Sequence, residues 1–156
     1  MITTNLFKIS NFIMQFKDSK QLELMVTASN IPGLTLGELT LSRPVVRDLR
    51  SGDSLTFDEL SITALCDEAF GAYKEIYSYI ISAANPFNAN IDVTYPIFDS
   101  TLFLTTNKNN IKHEIKFFNC FFKSIGGINL NSSSNDETPF TFDIALGYSY
   151  YLFNTL

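Results

Sequence analysis

The chain has 156 residues, a formal net charge of −5, and 46% hydrophobic but only 17% charged residues. This length suffices for one domain with a full core, which we expect to span residues 1–156. The acidic balance argues against general nucleic-acid binding, because that function needs a basic surface. The low charge share indicates surface that is buried in an assembly, and a codon bias towards Phe, Ile, Asn and Lys is the alternative explanation.

Alternation of apolar and polar residues predicts strands along most of the chain. Pro32 and Gly33 break this pattern and predict a bend. We expect a tight turn at Gly52-Asp53. In the strand predicted after it, one face consists of Leu60, Ile62, Ala64 and Cys66. The strands predicted in the first half cover 7–9 with 12–16 as one irregular strand, then 22–28, 34–42 and 55–65.

After Asp67 the apolar period changes to three and four residues, which predicts one amphipathic helix. Asp67 is the predicted N-cap, and Glu68 in the first turn suits the positive end of the helix dipole. Asn85-Pro86 is expected to end the helix. The predicted apolar stripe consists of Phe70, Tyr73, Tyr77, Ile80, Ile81 and Ala84.

Further strands are predicted over 98–106, 114–125 and 140–153, with a polar turn at 107–110. In 114–125, Phe117 and Phe121 are assigned to one face and Phe118, Cys120 and Phe122 to the other. Both faces are apolar, so one covers the interior and the other meets either the helix or a neighbouring subunit.

In 140–153, apolar residues from Phe140 to Tyr150 line one predicted face, and the small residues Ala145, Gly147 and Ser149 line the other. The small face fits close approach by another chain or the inner wall of a pore. About eight antiparallel strands with one flanking α-helix predict a mainly β barrel or sandwich.

Several segments carry a resemblance that covers most of the chain: 5–9, 26–33, the Gly52-Asp53 run to 63, and Asp67-Glu68-Ala69. Their order and spacing resemble the tail tube proteins of contractile-tailed bacteriophages. The segments 99–112 and 140–151 are more similar to the related baseplate proteins that initiate the tube. The resemblance implies a structural subunit of stacked hexameric rings around a DNA-conducting channel. A baseplate tube-initiator or a tail-terminator ring protein of the same fold is the alternative.

The segment Arg43–Ser51 is longer and more apolar than an ordinary hairpin tip. The resemblance implies that it forms a long hairpin arm, which reaches the neighbouring ring. We hypothesise that its arginines pair with acidic residues there while its apolar residues are buried; a solvated loop is the alternative. The predicted contact residues are Arg43, Val45, Val46, Arg47, Leu49 and Arg50.

No pattern in the sequence predicts catalysis, a cofactor or a metal. Asp58 and Glu59 are adjacent on a predicted strand and therefore point to opposite faces, and helix capping accounts for Asp67 and Glu68. The one histidine, His113, has no cysteine or carboxylate cluster at ligand spacing. Nucleophile motifs and phosphate-binding loops are also absent from the sequence, so we do not expect an enzyme.

The two cysteines, Cys66 and Cys120, are too few for a disulfide framework, and we expect free buried thiols in a reducing compartment. No apolar run approaches the roughly 20 residues that span a bilayer, and no secretory signal is present. We therefore expect synthesis in the host cytoplasm and no membrane segment.

The resemblance implies a location in the virion tail, with further copies of the chain, the sheath, the baseplate and the tail-terminator proteins as partners. DNA would pass along the channel without specific binding, because an acidic wall repels phosphate. Asp143 is the candidate lumen-facing carboxylate. The alternative from another class is a monomeric β-barrel carrier with an apolar cavity for a small hydrophobic ligand.

Overall fold

The computed structural model describes residues 10–17, 20–42, 44–84, 96–133 and 138–156. These ranges contain nine strands and two helices, which confirms the predicted mainly β fold. The predicted strand piece 7–9 and the residues Asn85 and Pro86 lie outside the described residues. The strands are β1 Phe12–Phe16, β2 Val26–Ser29, β3 Leu34–Ser42, β4 Arg47–Phe57, β5 Leu60–Leu65, β6 Phe98–Thr105, β7 Ile111–Ile125, β8 Thr141–Gly147 and β9 Tyr150–Thr155; the helices are α1 Lys20–Met25 and α2 Gly71–Ala83.

Seven strands form the body in the order β1-β6-β7-β8-β5-β2, with β9 also paired to β7, and every pairing is antiparallel. The 15-residue strand β7 belongs to two layers. Its first part pairs with β9 up to Phe118 and with β6 up to Cys120, and its last part, from Phe121, pairs with β8. One layer therefore contains β1, β6, β7 and β9, and the other contains β7, β8, β5 and β2.

The core fills the space between these layers, and both helices pack against it. Side chains at alternate positions of β5 and β8 are buried, as the period-two pattern predicts for Leu60, Ile62 and Ala64. Both cysteines are free, with Cys120 buried and Cys66 half-buried. Burial raises the pKa of the Cys120 thiol. The buried apolar residues are Met14, Phe16, Leu22, Leu60, Ile62, Ala64, Ala72, Ile76, Phe98, Leu102, Leu104, Ile115, Phe117, Cys120, Phe142, Ile144 and Leu146.

A β-bulge at Asn119 divides β7. Asn119 has a left-handed backbone conformation, with φ 55°, which Asn tolerates better than most residues. Two residues of β7 therefore oppose the single Asp99 of β6. The alternation predicted for this strand is wrong beyond the bulge, because Phe117 and Cys120 are both buried whereas Phe121 is exposed.

Helix α1 replaces the first part of the strand predicted over 22–28, so that prediction is wrong up to Met25. Leu22 is buried, and Met25 is half-buried against the core. A spacing of three residues places both side chains on one helix face. The alternation that suggested a strand is real only from Val26, where β2 begins.

The predicted helix is present as α2. It starts later in the chain than predicted, and the residues that it buries differ from the predicted stripe. Phe70, with φ 54°, precedes the first helical residue, and the Asp67 carboxylate accepts a hydrogen bond from the Gly71 N–H at 2.9 Å. The N-cap residue is Phe70, so the predictions of Asp67 as the N-cap and of Glu68 in the first turn are both wrong. The stripe is centred on the buried Ala72 and Ile76, with Tyr73 and Ile80 beside them. Tyr77 and Phe70, which the predicted stripe includes, are exposed.

The strand predicted over 140–153 is two strands, β8 and β9, separated by Tyr148 and Ser149. The Ser149 N–H donates a hydrogen bond to the Phe118 carbonyl at 3.0 Å. The chain thereby leaves β8 and returns along the first part of β7. The predicted apolar face is confirmed for Phe142, Ile144 and Leu146, but Phe140 and Tyr150 are exposed.

Candidate functional site

The hairpin of β3 and β4 forms an arm that stands apart from the body. The two strands pair with one another from Leu34 opposite Phe57 to Ser42 opposite Arg47. Neither strand packs extensively against any other described element. The structure thus confirms the long hairpin arm. The connection between the strands is shorter than predicted, because residues 47–51 already belong to β4.

The tight turn predicted at Gly52-Asp53 is wrong. These residues lie inside β4, at a bulge where Gly37 of β3 opposes the segment between Ser51 and Leu55. A Cβ atom at Gly52 would lie 2.7 Å from the Gly37 carbonyl oxygen. Glycine is therefore required by close approach of the two arm strands rather than by a chain reversal.

The arm exposes a large apolar surface. At its tip, Val45, Val46 and Leu49 are 92%, 64% and 63% exposed. Single exposed apolar residues are ordinary on a protein surface, but a contiguous set indicates an interaction site. The other exposed apolar residues of the arm are Leu34, Leu36, Leu39, Leu41 and Leu55.

The tip also concentrates positive charge. Every arginine of the chain, Arg43, Arg47 and Arg50, lies within 43–50. Arg47 is exposed, and Arg50 Nε lies 3.6 Å from Asp48 Oδ2 in an exposed ion pair that contributes little to stability. Arg43 lies outside the described residues. The structure thus brings together at the tip the five described residues of the six that the sequence predicts.

Two tyrosines connect the arm to the body at its root. The Tyr148 hydroxyl donates a hydrogen bond to the Asp58 carbonyl at 2.6 Å, and the Tyr151 hydroxyl donates one to the Pro32 carbonyl at 3.1 Å. Phe57, the last residue of β4, packs edge-on against both tyrosine side chains. Burial, and then the proximity of Tyr151 and Asp58, raise the pKa of Tyr148 to about 12. Sequence reasoning missed this contact because no local pattern relates residues about ninety positions apart.

Asp143 lies on the exposed face of the β5–β8 layer. It is opposite Thr63 of β5, whose hydroxyl donates a hydrogen bond to Asp143 Oδ1 at 2.8 Å. Buried neighbours at alternate positions place Ser61, Thr141 and Ala145 on this same face. The face is therefore small and polar, and the lumen-facing role of Asp143 stays a prediction.

A second apolar surface, also missed from the sequence, follows strand β9. Strand β9 pairs only with β7, so no other described strand covers its second edge. Leu152 and Phe153 of this edge strand are 48% and 54% exposed. A free edge with apolar side chains is prone to pair with another chain.

Apolar side chains fill the interior of the body as far as the structure describes it. Leu102, Ile115 and Phe117, each at most 1% exposed, fill the space between the layers. An apolar groove of about 480 Å³ lies at the surface beside α2, lined in part by Ile80 and Phe122. Within the described ranges, no group of three or more His, Cys, Asp or Glu is placed to hold a metal ion, and no helix there is long and apolar enough to cross a membrane.

Asp58 and Glu59 lie in the break between β4 and β5 rather than within one strand, and both are exposed. The Glu59 carboxylate pairs with the Lys123 amine of β7. Glu59 thus takes part in an exposed ion pair of the kind that is common on protein surfaces.

No protein-family model matches the chain, and no curated protein matches it. Solved structures do match. One is a chain in the cryo-EM structure of the anti-feeding prophage tube terminating cap, with a TM-score of 0.75, 13% identity, and coverage of 100% of this chain and 95% of that one. A chain of the PVC sheath/tube terminator, from an extracellular contractile injection system in the extended state, has a TM-score of 0.73, 14% identity and coverage of 98% and 99%.

The similarity extends to Hcp1 from Flavobacterium johnsoniae, with a TM-score of 0.53, 12% identity, and coverage of 92% of this chain and 94% of that chain. At these identities the comparisons show a common fold. That fold is the one implied by the resemblance to tube proteins, and it extends over nearly the whole chain.

Proposed function

We propose that this chain, which has the fold of tube-type proteins from contractile injection systems, is a structural subunit of such a tube. Copies would close into rings, and the rings would stack around a common axis. The observation that carries this proposal is the arm, which exposes apolar side chains on both strands and packs little on the part of the chain that the structure describes.

The energetics of the arm favour burial in an assembly. Eight Leu and Val side chains of β3, β4 and their connection are largely exposed. Burying one such side chain fully gives about 1.5–3 kcal/mol relative to leaving it in water. A subunit that stays alone forgoes this free energy, whereas a neighbouring ring supplies the missing contact surface.

Charge complementarity supports contact between the arm tip and the body of another copy. The chain has 11 basic and 16 acidic residues; the tip segment 43–50 takes three arginines and Asp48, which leaves eight basic and fifteen acidic residues elsewhere. Arginine is suited to such an interface because its planar guanidinium binds a carboxylate through two hydrogen bonds. Opposite charges on the two surfaces would also orient the approach of one ring to the next.

Ring closure would use the body. The edge of β9 that no other described strand covers, with the exposed Leu152 and Phe153, is suited to a lateral contact, and closure of a ring removes unpaired edges. We propose six subunits per ring, as in the tube proteins that the sequence resembles. The polar β5–β8 face with Asp143 would then line the channel, where carboxylates would repel passing DNA.

Within a tail, two roles fit the same fold. The first is the repeated subunit of the tube, located inside a sheath; the second is a terminator or baseplate ring that ends or initiates the tube. The similarity to chains of a tube terminating cap and of a sheath/tube terminator supports the second role. Quantitative mass spectrometry of purified particles distinguishes them, because the tube subunit is present in many rings and a terminator in one.

A different experiment separates the tube subunit from the monomeric carrier. Light scattering and negative-stain electron microscopy of the purified protein should reveal ring-shaped particles or tubes whose abundance rises with concentration. A protein that stays monomeric at high concentration, alone and with a matching baseplate, would contradict the proposed function. Stoichiometric binding of a hydrophobic dye by that monomer would support the carrier instead.

A further inference from the structure

We infer that Tyr148 and Tyr151 form a clasp that sets the angle between the arm and the body, and that they thereby position the arm for stacking. The clasp comprises these two tyrosines, Phe57, and the carbonyl groups of Pro32 and Asp58. The stacking part of this inference rests on the proposed function, whereas the angular part concerns the isolated subunit.

The clasp holds both ends of the arm. Pro32 precedes β3, and Asp58 follows β4, so their carbonyl groups mark the two points where the arm joins the body. Tyr151 binds the first carbonyl and Tyr148 the second. The Asp58 N–H also donates a hydrogen bond to the Gly33 carbonyl at 3.0 Å, which joins the two ends to one another.

Aromatic packing connects the clasp to the core. The Phe57 side chain lies with its centroid 6.1 Å from that of Tyr148 and 5.3 Å from that of Tyr151. Phe117 of β7 is fully buried and contacts the same two tyrosines, at 5.2 and 5.7 Å. The root of the arm is thus attached to the core of the body, where close packing permits little movement.

The length of the arm makes this angle important. The nine residues of β3 span about 30 Å at the usual rise of a strand. A tilt of about 10° at the root therefore displaces the tip by about 5 Å, which exceeds the range of a hydrogen bond. Contacts between the tip and a neighbouring ring consequently require a fixed angle at the root, which the clasp supplies.

The test measures the arm angle in a subunit that does not assemble. Spin labels at Val46→Cys and Ser61→Cys report the distance between the arm tip and β5, in a Cys66→Ser background where the remaining Cys120 is buried. The substitutions Arg47→Glu and Arg50→Glu, with excess unlabelled protein, keep labelled subunits apart. The labelled protein with these substitutions is the parent. It is compared with the double variant Tyr148→Phe/Tyr151→Phe, which removes the two hydroxyl groups and keeps the aromatic rings that pack.

We expect one narrow distance distribution in the parent and a broad one in the double variant. The fraction with a detached arm should rise about fivefold for each hydrogen bond lost, so each single variant should lie between the two. The matched control is Tyr150→Phe, because Tyr150 stacks on Phe118 with centroids 4.8 Å apart, away from the root of the arm. An unchanged distribution in the double variant, or equal broadening in the control, would overturn the clasp.

A second measurement tests the positioning role with an unmodified tip. Electron microscopy should show that Tyr148→Phe/Tyr151→Phe forms single rings but few stacks, while Tyr150→Phe stacks like the parent. Normal stacking despite a broadened distribution would show that the angle does not matter for assembly. If even the parent forms no rings, the proposed function fails, and the spin-label distances still decide whether the clasp exists.

Discussion

The backbone N–H of Asn119 in β7 donates a hydrogen bond to the Asp99 carboxylate of β6, at 3.1 Å. This contact lies at the bulge where β7 passes from one layer of the body to the other. It stabilises a left-handed residue at the position where the burial pattern of the strand is displaced.

Substitutions at Asn119 test the importance of that conformation. We expect Asn119→Val to lower the free energy of unfolding by about 1–2 kcal/mol, because a β-branched residue is disfavoured in the left-handed region. Asn119→Gly should change it little, since glycine adopts this conformation readily. Urea unfolding of the two variants checks the difference, and equal destabilisation would contradict the role of the conformation.

The arm tip is tested by reversing its charge. Arg47→Glu with Arg50→Glu should abolish ring stacking and leave the circular dichroism spectrum and melting temperature unchanged, because both side chains are exposed. The matched control is Lys108→Glu with Lys112→Glu, which makes the same change of charge at exposed positions near the β6–β7 turn. Sedimentation and electron microscopy compare the two, and normal tubes from the tip variant would refute the predicted contact.

Substitutions at the apolar tip should weaken assembly without changing the stability of the isolated subunit. Val45→Ser with Val46→Ser should change the free energy of unfolding of the isolated subunit by no more than about 0.5 kcal/mol, as expected for exposed positions. The same variant should form fewer stacks, because it removes apolar surface from the contact. By contrast, Phe117→Ala should cost about 3–5 kcal/mol, because this side chain fills the core. Chemical denaturation and light scattering measure the two effects.

The raised pKa of Tyr148, at the root of the arm, should make the free energy of unfolding depend on alkaline pH. Burial raises the pKa of Tyr148 from 10.0 to about 12, so the folded protein retains the hydroxyl proton longer than the unfolded chain does. This contribution to stability is fully present below pH 10 and is lost as pH rises from 10 towards 12. Between these pH values, the free energy of unfolding should depend less on pH in Tyr148→Phe than in the unsubstituted protein. An identical pH dependence in both proteins would exclude the contribution.

Much of the body is predictable from local pattern. Alternating burial in Leu60, Ile62 and Ala64 follows directly from a period of two, whereas the hairpin arm that includes 43–51 is implied by the resemblance to tube proteins. The alternation depends on neighbouring residues alone, so it is predictable from the sequence.

The remaining features depend on pairing between distant segments. The bulge at Asn119 displaces the alternation by one residue, and a pattern that assumes continuous pairing therefore assigns Phe121 to the wrong environment. The six-residue helix α1 is too short to show a clear period. The bond from Tyr148 to the Asp58 carbonyl joins segments that only the fold brings together.

The strand β7 has a mechanical consequence, because it belongs to both layers of the body. A shearing force between the layers would pull on one continuous backbone, whose covalent bonds resist extension, instead of separating two surfaces held by side chains. In the proposed tube, load along the axis would therefore be transmitted through each subunit by this backbone as well as by the packing between its two layers.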